Sequence, residues 1–296
     1  RTTNFPTLSE KTFHADKMSK EDCKKAAATQ AAKYFGTDGI RGTYGELEIS
    51  EPFFTALGMA VAELLKESGG GKLVVGGDTR ASTETLKSAF CKGLEQGGAD
   101  FEDLGVLPTP ALAYGVSARG ARMGAMITAS HNPHKDNGIK FFDENARKIE
   151  DDTQLALEAK LEKYFGGMNG YNAATFERRP IKTGAFARNE YAEKMAGIFP
   201  SGFLKGMKIA VDMANGATSG ITSAVMKEYG AEVVSMGDAP DGFNINDGVG
   251  SQHPKKIAAL CRECGAYAAF AHDGDGDRVV VCDETGAVLE GEEVLG

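Results

Sequence analysis

At 296 residues the chain has room for about two domains. Apolar residues make up 42% and charged residues 25%, the balance of a globular protein with a buried core. A net charge of −9 argues against a non-specific grip on nucleic acid or an anionic membrane, and no apolar run approaches the roughly 18 residues of a membrane span.

Five cysteines, an odd number in a chain this long, do not describe a disulfide framework, so a reducing, cytoplasmic setting is expected. The polar stretch RTTNFPTLSEKTFHADKMSK has no h-region of a secretory signal, and Met18 is a candidate natural start. Residues 1–32 read as a polar arm ending in a short helix, Glu21 to Ala32. Phe54, Leu57, Val61, Leu64 and Leu65 recur at helical spacing and predict a helix over Glu51–Ser68, stopped by Gly69–Gly71. LVVGGD at 73–78 is a strand, Thr83–Gln96 a helix, and Asp103–Leu107 a brief strand before a Pro108–Pro110 turn. Strands follow at 123–130 and 137–142, then a helix over Thr153–Phe165. Gly166–Thr183 has weak periodicity and holds the expected linker near its end. Beyond it come a helix (Arg188–Phe199), a strand (Met207–Val211), a helix (Ser219–Tyr229), a strand (Glu232–Met236), a helix (Pro254–Cys264) and a strand (Tyr267–Ala271).

Strands alternating with helices predict an α/β fold. The order also repeats. KLVVGGDTR (72–80) resembles MKIAVDMANG (207–216), with Asp78 and Asp212 at corresponding places. GAMITAS and AAFAHDG are both apolar strands entering polar loops, which sets Ser130 against Asp273. Two related mixed-sheet domains follow, over 33–182 and 183–290. Ligands of open α/β sheets bind beyond the carboxyl ends of strands, so two such edges facing each other would form one cleft.

In TASHNP (128–133) an apolar strand delivers Ser130 to an exposed loop. Ser130 is either a helix N-cap or a nucleophile, and the absence of a Gly-x-Ser-x-Gly elbow disfavours a hydrolase serine. His131 either orients the loop or acts as a base. In DGDGDR (273–278) three carboxylates alternate with two glycines. So close together they repel unless a cation sits among them, and hard oxygen ligands favour Mg²⁺, Ca²⁺ or Mn²⁺. The bland alternative is a solvated acidic turn. An EF-hand fails because Arg278 holds the position that needs Gly. A phosphoserine at 130 would lend an oxygen to the cation, and Arg278 could steady a phosphoryl oxygen. Arg41, closing the Gly-rich KYFGTDGIRG, could reach the same group; Lys140, read as starting a strand, is a general acid/base or a surface lysine. Cys261-x-x-Cys264 has no second pair for Zn²⁺ and is expected to pack.

FGTDGIRG, TASHNPHKDNGIKFF, PDGFNINDGVGSQHP and DGDGDR together resemble the signature segments of the α-D-phosphohexomutase superfamily, in order and spacing, from about Lys33 to Gly296. The resemblance implies a phosphorylated Ser130 primed by a hexose bisphosphate, one Mg²⁺ on Asp273, Asp275, Asp277 and the Ser130 phosphate, and Arg278 beside the phosphoserine. It carries Arg41 and Lys140 over as proton-transfer or phosphoryl-contact residues. Within the superfamily PDGFNIN and GSQHP are most similar to phosphoglucosamine mutases, which implies a sugar-phosphate substrate and amino-sugar nucleotide synthesis; mannose or glucose phosphates are the alternative, and a homodimer is left open. The family's third and fourth domains, with their sugar- and phosphate-binding loops, are not in this stretch. Only the start of a third domain, 291–296, is expected here, and little activity from these residues alone.

Overall fold

The computed structural model describes residues 32–166 and 188–295. Ten strands are described: β1 (Ile40–Thr43), β2 (Lys72–Gly77), β3 (Asp100–Val106), β4 (Met123–Ile127), β5 (Asp136–Asp143), β6 (Lys208–Asp212), β7 (Glu232–Met236), β8 (Ala268–His272), β9 (Val279–Cys282) and β10 (Val288–Leu289). They form two five-stranded sheets, ordered β1-β5-β4-β2-β3 and β10-β9-β8-β6-β7. In each, one side up to the edge is parallel (β2 with β3 and β4; β6 with β7 and β8) and the other side antiparallel. Both sheets lie in one unit spanning residues 34–296.

The expected mixed-sheet α/β architecture is present, and so is the repeat. Asp78 Oδ1 accepts the N–H of Arg80 at 3.0 Å, and Asp212 Oδ1 accepts the N–H of Ala214 at 2.9 Å, the same turn closing equivalent strands. The outer strand breaks the symmetry: β1 precedes its repeat in the chain, whereas β10 follows its own.

Helices cover both faces. In the first half α1 (Glu51–Glu67) crosses α2 (Thr83–Gln96) through two glycines. A Cβ on Gly58 would stand 2.1 Å from the Phe90 carbonyl oxygen, and one on Gly93 2.0 Å from that of Thr55, so only glycine permits this approach. Phe53, Phe54, Phe90 and Phe141 fill the space beneath. On the other face α3 (Thr109–Ala118) packs Ala111, Leu112 and Val116 onto Val74 and Met126. α4 (Asp151–Phe165) closes this half, and its buried Glu158 accepts the backbone N–H groups of Tyr34 and Phe35 at 2.6 and 2.8 Å. The second half adds α5 (Arg188–Ala196), α6 (Ile221–Glu228) and α7 (Pro254–Cys264), whose Ile257, Ala258 and Cys261 lie on Ala210, Ala269 and Cys282. α8 (Gly291–Leu295) occupies the stretch read as the beginning of a third domain.

Several sequence expectations need correction. The Pro108–Pro110 turn is the start of α3, because Pro110 sits in the first helical turn, where a missing N–H is harmless. β3 begins at Asp100 rather than Asp103: Asp100, Glu102 and Asp103 interrupt the apolar pattern around Phe101, and pairing with β2 from Lys72 onward sets the start instead. Lys140 lies in the middle of β5, not at its start. The helix from Arg188 ends at Ala196, leaving Ile198 and Phe199 in the following turn, about half exposed. The helix expected over Glu21–Ala32, apart from Ala32, and the linker near 183 lie outside the described residues.

Candidate active site

Ser130 follows β4 and no helix follows it, so it is not an N-cap. Its φ is +51°, a left-handed conformation that costs a side-chain-bearing residue roughly 1–2 kcal/mol. A buried network imposes that conformation. Ser130 N–H donates to Thr128 Oγ1 at 2.8 Å, and the Thr128 hydroxyl donates to Asp78 Oδ2 at 2.7 Å. Asp78 is ion-paired with Arg80 at 2.9 Å, both side chains fully buried. The Arg80 guanidinium in turn donates to the carbonyls of Ser130 (2.9 Å), Asn132 (2.9 Å) and Pro133.

Held this way, the Ser130 hydroxyl donates to Asp273 Oδ2 at 2.6 Å, so the two loops that the repeat sets in correspondence meet directly. Asp273 and Asp275 are fully buried while Asp277 is exposed. Each of the three offers a carboxylate oxygen within 4.8 Å of the others. Lys140 answers their charge: its ammonium donates to Asp275 at 2.6 Å and Asp277 at 2.7 Å. Thr109, at the start of α3, donates its hydroxyl to Asp275 Oδ2 at 2.6 Å and its backbone N–H to the Asp275 carbonyl at 2.8 Å. The expected surface-lysine alternative for Lys140 is therefore overturned.

Both halves of the duplicated architecture have a counterpart in known proteins. The phosphoglucomutase/phosphomannomutase alpha/beta/alpha domain I model matches residues 32–166, and the domain II model matches residues 189–286. The chain belongs to this family. It is 43% identical to a phosphoglucosamine mutase of Aeromonas salmonicida over 266 residues, 90% of this chain and 59% of that protein. A phosphoglucosamine mutase of Xanthomonas euvesicatoria is likewise 43% identical, over 90% of this chain and 59% of its own. Among solved structures, a phosphoglucomutase/phosphomannomutase family protein from Burkholderia thailandensis superposes with a TM-score of 0.71 at 26% identity, covering 87% of this chain and 56% of that one. The chain thus spans about three-fifths of the length of the curated relatives it matches.

The family's metal requirement can be tested on these residues. Asp275 Oδ1 is buried with no hydrogen-bond partner, and three carboxylates converge with one ammonium between two of them. Such a donor set fits a hard divalent cation. Burial first, then the charge of Asp275, raises the Asp273 carboxyl to about 7. Burial also opposes charge on Asp275, but the Lys140 ammonium and the Thr109 hydroxyl together outweigh it and hold that carboxyl below its ordinary value. Lys140 itself loses to burial and gains more from Asp275 and Asp277, so its ammonium is held more firmly than usual.

His131 Nδ1 lies 3.4 Å from Ser130 Oγ and accepts from Arg278 Nη1 at 3.0 Å, which leaves the ring proton on Nε2. Burial, then the charges of Arg278 and Arg41, lower its pKa, so the imidazole is neutral at pH 7. Arg41 pairs with Asp38 at 3.5 Å, and Arg278 approaches the same Asp38 at 3.8 Å. All eight residues singled out in the sequence therefore belong to one connected site. Sequence reading missed Thr109, Arg80, Asp78 and Asn246. Thr109 was hidden by the prolines around it, and the other three lay in segments noted only as repeat or family signatures. His253, within GSQHP, is the exposed residue preceding α7. Among the described residues Cys91, Cys261, Cys264 and Cys282 are free thiols, and no helix is long and apolar enough to cross a membrane.

Proposed function

We propose that this chain is the phosphoryl-donating and metal-binding part of a phosphoglucosamine mutase, interconverting glucosamine 6-phosphate and glucosamine 1-phosphate. Residues 33–182 would form the donor domain and 183–290 the metal domain of a cytoplasmic enzyme. The observation that carries the reading is the Ser130 hydroxyl bonded at 2.6 Å into a three-carboxylate cluster.

Phosphorylation replaces the hydrogen that Ser130 donates to Asp273, so the ester needs a positive partner where the proton had been. One Mg²⁺ held by Asp273, Asp275, Asp277 and a phosphoserine oxygen would neutralise charge on the transferring group. In the transfer the P–Oγ bond of phospho-Ser130 breaks and a P–O bond to a sugar hydroxyl forms. The hydroxyl proton passes, in the net reaction, to the Ser130 oxygen. Neutral His131, 3.4 Å from the Ser130 oxygen, is a base suited to carry it, while the firmly held Lys140 ammonium supplies positive charge beside Asp275 and Asp277. Arg278 and Arg41 supply cationic donors at the open side, where the incoming phosphate would bind. Reversal on the other phosphoryl group of the bisphosphorylated sugar regenerates phospho-Ser130 and releases the isomer.

The glucosamine assignment is supported by the curated relatives and by PDGFNIN and GSQHP. The test is to incubate the full-length protein with a hexose bisphosphate and Mg²⁺. The Ser130 peptide is then followed by phosphopeptide mass spectrometry, and turnover of glucosamine, glucose and mannose phosphates is compared. Phosphate on Ser130 with preferred turnover of glucosamine phosphate is expected. An unmodified serine or release of inorganic phosphate without isomer overturns the reading.

A further inference from the structure

The segment Pro240–Asn246 was noted for its resemblance, but no chemical step uses it. Its last residue crosses from the second half to the nucleophile's loop. Asn246 Nδ2 donates to the carbonyl oxygen of Ser130 at 2.9 Å and to that of Asn132 at 3.0 Å. These are two of the carbonyls that Arg80 grips from the first half. The carbonyl of Ser130 is thus clasped by one donor from each half.

The third wall is the metal loop. A Cβ on Gly274 would lie 2.7 Å from the Ser130 carbonyl oxygen and 2.8 Å from Asn246 Nδ2, so the loop between Asp273 and Asp275 packs directly on this clasp. Asn246 is itself left-handed, with φ +59°, a conformation asparagine tolerates better than most residues. Its backbone N–H is tied to the Ala214 carbonyl at 2.9 Å. Thr79 Oγ1 to the Asn215 carbonyl (2.7 Å) and Ala81 N–H to the Gly242 carbonyl (2.9 Å) bind the halves on either side.

We infer that Asn246 is a positioning residue for Ser130, holding its carbonyl from the second half so that the serine oxygen stays turned toward the acidic loop. This rests on the mutase reading above. The Thr128–Asp78–Arg80 network of the first half keeps the loop folded. Without the Asn246 amide, however, the peptide after Ser130 can rotate toward an ordinary φ and swing the side chain away from Asp273. A displacement of that kind acts on the transfer step and not on sugar capture.

The test uses the full-length protein and two variants. Asn246→Gly removes the amide and keeps the left-handed backbone free of strain; Asn246→Asp keeps the shape and replaces both donors with acceptors. The expected result for both is a kcat lowered about 10- to 100-fold with KM for glucosamine 6-phosphate unchanged. The ³¹P resonance of phospho-Ser130 should shift while the folded fraction stays at the parental level. An active, phosphorylated parent whose Asn246→Gly variant matches it in kcat and ³¹P signal overturns the positioning role alone. So does a loss of rate that only tracks loss of folded protein in both variants. A parent that carries no phosphate and isomerises no sugar phosphate overturns the mutase reading first, and this inference with it.

Discussion

The two halves share one sheet order yet are built to different depths. In the first, β4 is buried at every residue, its Met126 clusters with Leu104, Leu107 and Leu112, and Phe53, Phe54, Phe90 and Phe141 are fully buried in the same half. In the second, the equivalent β8 alternates between half-buried and buried; one core cluster is made of alanines, Ile257 and two thiols, and the other of Ile209, Val211, Met213 and Ala231 with Phe270 only partly buried against them. Topology was duplicated; packing was not. The first half carries the residue in the strained conformation, Ser130, and the second carries the glycine-rich acidic loop proposed above as the cation site. A residue in a strained conformation needs surroundings that over-determine it, whereas a loop that binds a metal can gain its order from ligand bonds.

The sharpest way to break this comparison is at the meeting point. Ser130→Ala in the full-length protein should lower turnover by about 10⁴-fold or more and abolish phosphopeptide labelling, while the metal loop stays folded. Lys140→Ala should cost about 10²- to 10⁴-fold in rate. It also leaves Asp275 without its counter-charge, so thermal stability should fall when divalent cation is chelated and recover when Mg²⁺ is added. If K140A melts identically with and without Mg²⁺, the acidic loop does not depend on a cation for its order.

Stability should separate the halves next. Lys87 and Asp103 form a pair at 3.0 Å with side chains 3% and 1% exposed, so Lys87→Ala should destabilise by about 3–5 kcal/mol in urea unfolding. Phe90→Ala removes a ring at zero exposure and should cost about 3–5 kcal/mol, against about 1 kcal/mol for Cys261→Ala in the second half. Equal losses would mean that the second core is as tightly packed as the first.

The smallest effect concerns Glu63 on α1. The Tyr164 hydroxyl, then Lys163 and Lys160 on α4, lower its pKa from 4.5 to about 2. A lowered carboxyl stabilises the fold above its unfolded pKa and loses that contribution as pH falls through the folded one. The stability difference between the parent and Glu63→Gln should therefore be constant above about pH 5 and vanish near pH 2. No such difference would mean that the α1–α4 contact holds without the carboxylate.

Much of this molecule was legible in one dimension because its signals are local. Thr83–Gln96, Glu232–Met236 and Pro254–Cys264 declare themselves through periodicity and flanking glycine or proline, and the observed bounds agree. The acidic loop points to a cation site because three carboxylates within five residues repel unless positive charge lies among them, although a solvated acidic turn spells the same string. α3 was not legible, because Pro108 and Pro110 imitate a turn until the tertiary structure shows that their missing N–H groups fall where none is needed. Nor could any spacing reveal that Lys140 neutralises Asp275 and Asp277, or that Arg80 and Asn246 grip one carbonyl from opposite halves. The chain by itself determined which side chains carry charge, curl and nucleophilicity. Only the three-dimensional packing decided which of them meet, because contacts between residues more than a hundred positions apart depend on how two sheets face each other, and no local pattern encodes that.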